Sequence, residues 1–479
     1  MNTKKHRRRV LTALVSTALI AGLTASCAPG SKSEDAPPGS EPAAPVEPSD
    51  GAAQDGGAGD FSNITAPVTP KDVAAYGDIT LSVWADAGEE TVLEKLVPLF
   101  EEQYPNVTVE VTYKGWDDLM ETVINALDSN NPPDVANSNQ GFAMMGIEVK
   151  AGLIRPMDDF RAAYGMSEGL PESGWETMTW NPDGSEWGSG TLYAIGGATQ
   201  PQGLFYNRAK LEELGLEPPE SIGDLDAALK AASEAGELPI MLGNTDQYPL
   251  GSHVFGIVND MYADPAAINA WLAGAEGATF DTPGTREALT KLKEWGESGY
   301  FGEGYNGRSL DDAVAAYAKG EGVFFLGGSF NGAKISAESP DGFGYALLKA
   351  TSGDYATTGT LGTPWTISSK SKVPGAAIAF LGMLTSKDFA QVYADEGRLP
   401  VADLGGVTPT GSLQESMLVA AHQLFEGGDF IGFLDWASPT MQRELGTNAQ
   451  ELLAGQIDVD TFVANVQGNW EEFQEERKE

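Results

Sequence analysis

Gly327-Gly328-Ser329-Phe330-Asn331-Gly332 comes within one residue of the G-x-S-x-G turn that lifts a nucleophilic serine off a strand in acyl-transfer enzymes. Such a serine needs a histidine to take its proton, and the chain has only His6, His253 and His422, none in a supporting context. One cysteine, Cys27, is the only thiol. No His and Cys cluster stands at metal-ligand spacing, and no P-loop or G-x-G-x-x-G follows a strand. Asn181-Pro182-Asp183-Gly184 lacks the alternating acids of a calcium loop and reads as a turn. The residue types therefore point to no catalytic residue, no metal and no cofactor. His253 and His422 read as ordinary structural or surface residues.

Cys27 has a different use. Lys4, Lys5, Arg7, Arg8 and Arg9 precede an apolar run from Val10 to Leu23, which ends in Thr24-Ala25-Ser26-Cys27. A charged start, an apolar run too short to span a bilayer and small residues at a cleavage point make an export signal over residues 1–26. The segment resembles a bacterial lipobox, which implies a lipid on Cys27 and a chain held on the extracellular face of the cell membrane. Residues 27–60 are Ala, Pro, Gly, Ser, Asp and Glu with scarcely a large apolar side chain, so they read as a disordered acidic tether. Phe61 to Tyr76 is transitional, and the folded body starts by Gly77. The net charge of −40 repels phosphate backbones and excludes a nucleic-acid partner.

Alternation in Ile79, Leu81 and Val83 predicts a strand, and Val92, Leu93, Leu96, Leu99 and Phe100 form a helical stripe after it. Val107, Val109 and Val111 predict a second strand, Trp116 to Asp128 a helix, and Val135 a third strand. This βαβαβ order predicts an α/β fold whose ligands sit at the carboxyl ends of the strands. Further on, strands are expected at Gly203 to Asn207, Pro239 to Leu242 and Gly322 to Leu326. Helices are expected at Arg208 to Leu214, Ile222 to Ala235, Ala288 to Trp295, Leu310 to Lys319 and Gly375 to Leu384, and after Asp458.

Several stretches carry a resemblance: ITLSVWA with a helix ending FEEQYPNVTVEV, PPDVANSNQGFAMMG, LYAIGGATQPQGLFYNRAKLEELGL, AVAAYAKGEGVFFLGGSF, TTGTLGTPWTISSKSK and FLDWASPTMQREL. In this order and spacing, the body from Ile79 to Phe473 resembles the extracellular solute-binding proteins of sugar-importing ABC transporters. That family includes the maltose-, raffinose- and multiple-sugar-binding proteins. The resemblance implies a two-lobed periplasmic-binding-protein-like fold of type II, with lobe 1 over 77–196 and 358–403 and lobe 2 over 203–350 and 412–479. Hinge crossings are implied at 197–202, 351–357 and 404–411. It also implies a monomer that delivers a sugar or oligosaccharide to the transmembrane subunits of an ABC permease.

A sugar offers C–H faces to aromatic rings and a hydroxyl rim to amides and carboxylates. The matched segments put Asp86 and Glu89 after the first strand, Asn139 and Gln140 after the third, and Gln200 at the first crossing. Asp246, Gln247 and Tyr248 follow Pro239 to Leu242. Ser329 and Phe330 stand where relatives carry a stacking ring, Thr363 and Trp365 lie in the returning segment, and Asp435 and Trp436 line the far wall. Trp436 leads the stacking candidates, followed by Phe330 and Trp365, with Trp116 divided between stacking and packing. Asp86, Glu89 and Asp246 serve equally as helix or turn caps. A secreted glycoside hydrolase, which needs two carboxylates about 5 to 10 Å apart, stays open on composition, and so does a binder of a non-sugar solute.

Overall fold

The computed structural model describes residues 59–166 and 170–478. The export signal, Cys27 and the tether as far as residue 58 lie outside the described residues. The packed body begins earlier than Gly77. Phe61, Ile64, Val68 and Val73 are buried, the Ile64 N–H donates to Asp159 Oδ2, and the Tyr104 hydroxyl donates to the Val68 carbonyl. These four spaced apolar residues in a polar stretch close over an existing apolar face, a contact no local pattern announces.

Strand β1 (Ile79–Asp86) pairs in parallel with β2 (Val107–Lys114) along its whole length and with β3 (Val135–Asn137) on its other side. Helices Glu90–Gln103 and Trp116–Asp128 make the crossovers. The first buries Val92, Leu93, Leu96 and Phe100 as its stripe predicts, while Leu99 stays exposed. A short hairpin, β4 (Thr179–Trp180) with β5 (Thr191–Leu192), and β6 (Ala198–Thr199) lead to β7 (Gln202–Asn207).

Strand β7 is the centre of a second sheet, antiparallel to β8 (Phe324–Gly328) and β9 (Phe343–Ala346). All residues of β7 and β8 are buried, and β8 accordingly reads as an apolar run bounded by glycines rather than an alternating one. The strand expected at Pro239 to Leu242 reduces to one bridge, Ile240 against Phe324. Strand β10 (Ala356–Thr358) then leads back to β11 (Trp365–Ile367), which joins the first sheet antiparallel to β3 and gives the order β11-β3-β1-β2. Two last short strands lie on the connecting segments: β12 (Leu399–Pro400) pairs with β6, and β13 (Asp429–Ile431) with β10.

The segments passing between the sheets touch backbone to backbone. A Cβ on Gly196 would fall on the Leu361 carbonyl group, and one on Gly362, at φ +108°, would meet the Ala198 carbonyl. The helix Pro374–Leu384, apolar all round, is buried nearly all round, as such a sequence requires. Helices Ser412–Phe425 and Met441–Leu453 are absent from the sequence reading, although Leu413, Met417, Ala421 and Leu424 carry a helical stripe.

Candidate functional site

The carboxyl ends of β1 and β8 supply the site's walls. At the first, the Asp86 carboxylate accepts from the Gly88 N–H at 3.0 Å and caps a single turn of 3-10 helix. Burial, then the nearby Glu89 charge, pushes its pKa up. At the second, Ser329 and Phe330 follow β8. Phe330 is half-buried, with its ring centroid 5.9 Å from that of His253. Tyr248 packs on the same imidazole, 5.3 Å away and edge to face. Burial raises the Tyr248 hydroxyl's pKa, and the carboxylates of Asp246, Asp117, Asp311 and Asp86 raise it further. Asp86 ends β1 and Asp117 follows β2 in the first sheet, while Asp246 and Asp311 belong with the second, so charges from both sheets act on the Tyr248 hydroxyl.

His253 owes its place to a turn the sequence hides. Pro249–Val254 forms a π-helix, a rare widened turn that concentrates at functional sites. It starts after Gln247, held at φ +64°, and is capped by Asn244 Oδ1, which accepts from the Leu250 N–H. A Cβ on Gly251 would stand 2.7 Å from the Gly446 nitrogen, so glycine lets this turn press against helix Met441–Leu453. The Pro and Gly here look like loop residues in the sequence, and His253 reads as an ordinary one. Burial pushes the His253 pKa down to about 4, and its Nδ1 is buried without a partner.

Several expected site residues are committed elsewhere. Trp365 is 1% exposed inside β11, so its ring has no free face and cannot stack on a ligand. Glu89 is buried and bonds Arg398 at 2.7 Å. Gln140 is buried and spends its Nε2 on Thr360 Oγ1 and the Gly362 carbonyl, at 2.7 and 3.1 Å. Ser329 is buried under the Thr199 carbonyl. Trp436 is buried against Phe433 and Trp187, its Cβ seated where only glycine fits at 141, so it is a packing residue more than an open platform. Asp246 is exposed and accepts from the Leu310 N–H.

Others stay available. Asn139 is half-buried, Gln200 reaches Thr363 Oγ1 at 3.3 Å, and Trp116 is half-buried at the start of its helix. Asp435 is half-buried, and burial raises its pKa against the hydrogen bond from the Ser252 hydroxyl. Sequence reasoning missed His253, Ser252, Gln202 and Phe433. Gln202 is the first residue of β7, fully buried, with neither amide atom partnered.

Behind the site, Glu148 is fully buried. Its Oε2 accepts from Ser138 Oγ at 2.8 Å, its Oε1 has no partner, and burial pushes its pKa up to about 7. The folded state thus holds this proton to higher pH than the unfolded state does. Its contribution to stability is full below the unfolded pKa near 4.5 and is lost as pH rises through 7. Glu148→Gln should flatten this part of the fall in thermal midpoint between pH 5 and 8; an unchanged slope would assign the loss to other groups.

The sequence model of the family described as "Bacterial extracellular solute-binding protein" matches residues 95–414. The multiple sugar-binding protein of Streptococcus mutans serotype c (strain ATCC 700610 / UA159) is 23% identical over 274 residues, 55% of this chain and 65% of that protein. The match therefore spans less than two thirds of that relative's length. Among solved structures, a chitin oligosaccharide binding protein superposes with a TM-score of 0.69 at 17% identity, covering 83% of this chain and 99% of that one. The solute-binding protein RafE in complex with raffinose gives 0.65 at 19% identity, covering 82% and 99%. At these identities the likeness speaks for the fold, two α/β lobes of the periplasmic-binding-protein kind. The match across 95–414 settles the family: this chain is a member of the bacterial extracellular solute-binding proteins.

Proposed function

We propose that this protein is the solute-binding component of an ABC importer, anchored outside the membrane through lipid on Cys27, and that it passes a sugar or oligosaccharide to a permease. The observation that carries the reading is the packing of Tyr248 and the half-buried Phe330 ring on the same His253 imidazole, within the field of carboxylates from both sheets. An aromatic face with carboxylates and amides around it suits a pyranose, whose C–H face stacks and whose hydroxyls donate. The names of the similar proteins, which bind raffinose and chitin oligosaccharides, support the same class. Lobe 1 then comprises 77–196 and 358–403, joined by the N-terminal segment from Phe61, and lobe 2 comprises 203–350 and 412–479. Closure bends the crossings at 197–202, 351–357 and 404–411. Asp86, Trp116, Asn139, Gln200, Gln247, Tyr248, Phe330, Thr363 and Asp435 are the ligand residues of this reading.

A thermal-shift screen against mono-, di- and trisaccharides tests it. A ligand that binds only the folded state adds about 2.7 kcal/mol at a hundredfold excess over its Kd. A shift from amino acids, peptides or polyamines and none from sugars would overturn the ligand class, and turnover of a saccharide would favour the hydrolase. Phe330→Ala should weaken the sugar by about 10- to 100-fold, the scale of losing one stacked ring, with the thermal midpoint of the free protein nearly unchanged. Calorimetry on both proteins reads the two effects separately.

A further inference from the structure

The ring of Phe142, just after β3, is the meeting point of two distant parts of the chain. Trp180 and Trp187 stand around it, with ring centroids 5.2 and 5.8 Å away, and so does Phe473 of the last helix, at 5.2 Å. The Arg477 guanidinium lies over the same ring, 4.1 Å from its centroid, and 5.7 Å from that of Phe473. Its Nη1 donates to Gln474 Oε1 at 2.6 Å, and its Nη2 donates to the Ser185 carbonyl. Beside this cluster Trp187 meets Trp436, and the Phe142 N–H donates to the Trp436 carbonyl at 3.3 Å. In the division proposed above, Phe142, Ser185 and Trp187 belong to lobe 1, and Trp436, Phe473 and Arg477 to lobe 2. The cluster is a seam between lobes, built from no residue of the three crossings.

Arg477 is placed against what its own helix would ask of it. A basic residue at a helix C-terminus serves that helix best on its last free carbonyls. Here Nη2 reaches a carbonyl 292 residues away instead, and the charge rests on an aromatic face. Asp and Glu outnumber Lys and Arg by 69 to 29, yet burial pushes the Arg477 pKa down with no carboxylate among the described residues to offset it. A half-buried cation in that position depends on the ring and the carbonyl. Both contacts exist only while the stretch carrying Phe142 and Ser185 stays on the last helix.

We propose that Arg477 is a positioning residue for solute binding: seated on Phe142 and Ser185, it holds the two lobes together beside the cleft and sets affinity without touching the ligand. This rests on the lobe and closure reading above. Lobes that part must give up the seam, whereas the backbone contacts of Gly196 with Leu361 and of Gly362 with Ala198 belong to the crossings themselves. The apparent Kd is the intrinsic Kd divided by the fraction of protein already in the binding-competent form. Removing the guanidinium lowers that fraction and weakens every solute by one factor. Loss of a ligand contact would instead change the preference among solutes.

The test joins calorimetry to a distance between the lobes. Cys27 is the only cysteine, so Cys27→Ser with Glu121→Cys and Glu338→Cys places one spin label at an exposed position on each lobe and none elsewhere. In this background Arg477→Ala should shift the ligand-free distances toward wider separation. It should also weaken each saccharide that binds by the same factor, about 3- to 30-fold. Arg477→Lys keeps the charge but loses the planar fork, and should fall between the two. If Arg477→Ala does not fold, Phe473→Leu, which removes one of the two rings beneath the cation, takes its place. Unchanged distances or unchanged affinity in a folded variant would overturn the proposal. Tighter binding would also overturn it, by placing the seam in the ligand-free form, and so would a loss confined to some solutes, by making Arg477 a ligand contact. If no saccharide binds the starting protein, the saccharide reading alone fails. The label distances then decide the seam, wider separation in Arg477→Ala supporting it and unchanged separation overturning it.

Discussion

Gly196→Ala is expected to leave little folded protein. The added Cβ would coincide with the Leu361 carbonyl group, whose carbon is 2.5 Å away, and stand 3.1 Å from the Gly362 Cα. All these neighbours are backbone, so no rotamer change relieves the clash; two segments passing between the sheets would have to separate. They are tied by further bonds, including the Gln200 N–H to the Thr360 carbonyl at 2.9 Å. Overpacking of this kind costs about 3 kcal/mol or more, a large fraction of the roughly 5 to 15 kcal/mol that holds a domain together. Gly468→Ala is the matched control. It lies inside helix Val459–Glu476 with nothing within 4 Å of the new Cβ, and should stabilise by about 0.5 to 1 kcal/mol through helix propensity alone. Chemical denaturation of both variants checks the pair. Equal and small effects would mean that the crossing segments yield more easily than their packing implies.

Arg398→Met should be nearly as damaging, for an electrostatic reason. The Arg398 and Glu89 side chains are 10% and 6% exposed and 2.7 Å apart, and the guanidinium also donates to the Gly88 carbonyl. Taking the cation away leaves a carboxylate sealed from water, a loss of about 3 to 5 kcal/mol. The companion variant Arg398→Met with Glu89→Leu removes the stranded charge and should recover most of that loss, because an apolar pair of similar volume replaces a buried ion pair at little cost. Urea denaturation of the single and double variants measures the recovery. A double variant as unstable as the single one would show that the Gly88 contact, not the charge pair, carries the effect.

The alternation of Ile79, Leu81 and Val83 and the helical patterns of Trp116–Asp128 and Arg208–Leu214 lead straight to the observed elements. These patterns depend only on backbone geometry over a few residues. Family membership was legible in the order of several such segments, and the glycine-bounded run from Gly322 to Leu326 pointed to a strand, observed as Phe324–Gly328, that leads to Phe330.

Burial and partnership were not legible, because they depend on segments far apart in the chain. Trp365 and Phe330 are both aromatic residues near strands, yet β11 is enclosed while Phe330 hangs beyond the end of β8. Glu89 looked like a ligand carboxylate until Arg398, 309 residues later, closed on it. His253 looked ordinary because a π-helix begun by a proline and crossed by a glycine gives no periodic signal. By itself the sequence determined many of the local elements and the family. Only the tertiary structure decided which polar and aromatic side chains are spent on the fold and which are left free, since residue type sets what a group can bond while distant packing sets what lies beside it.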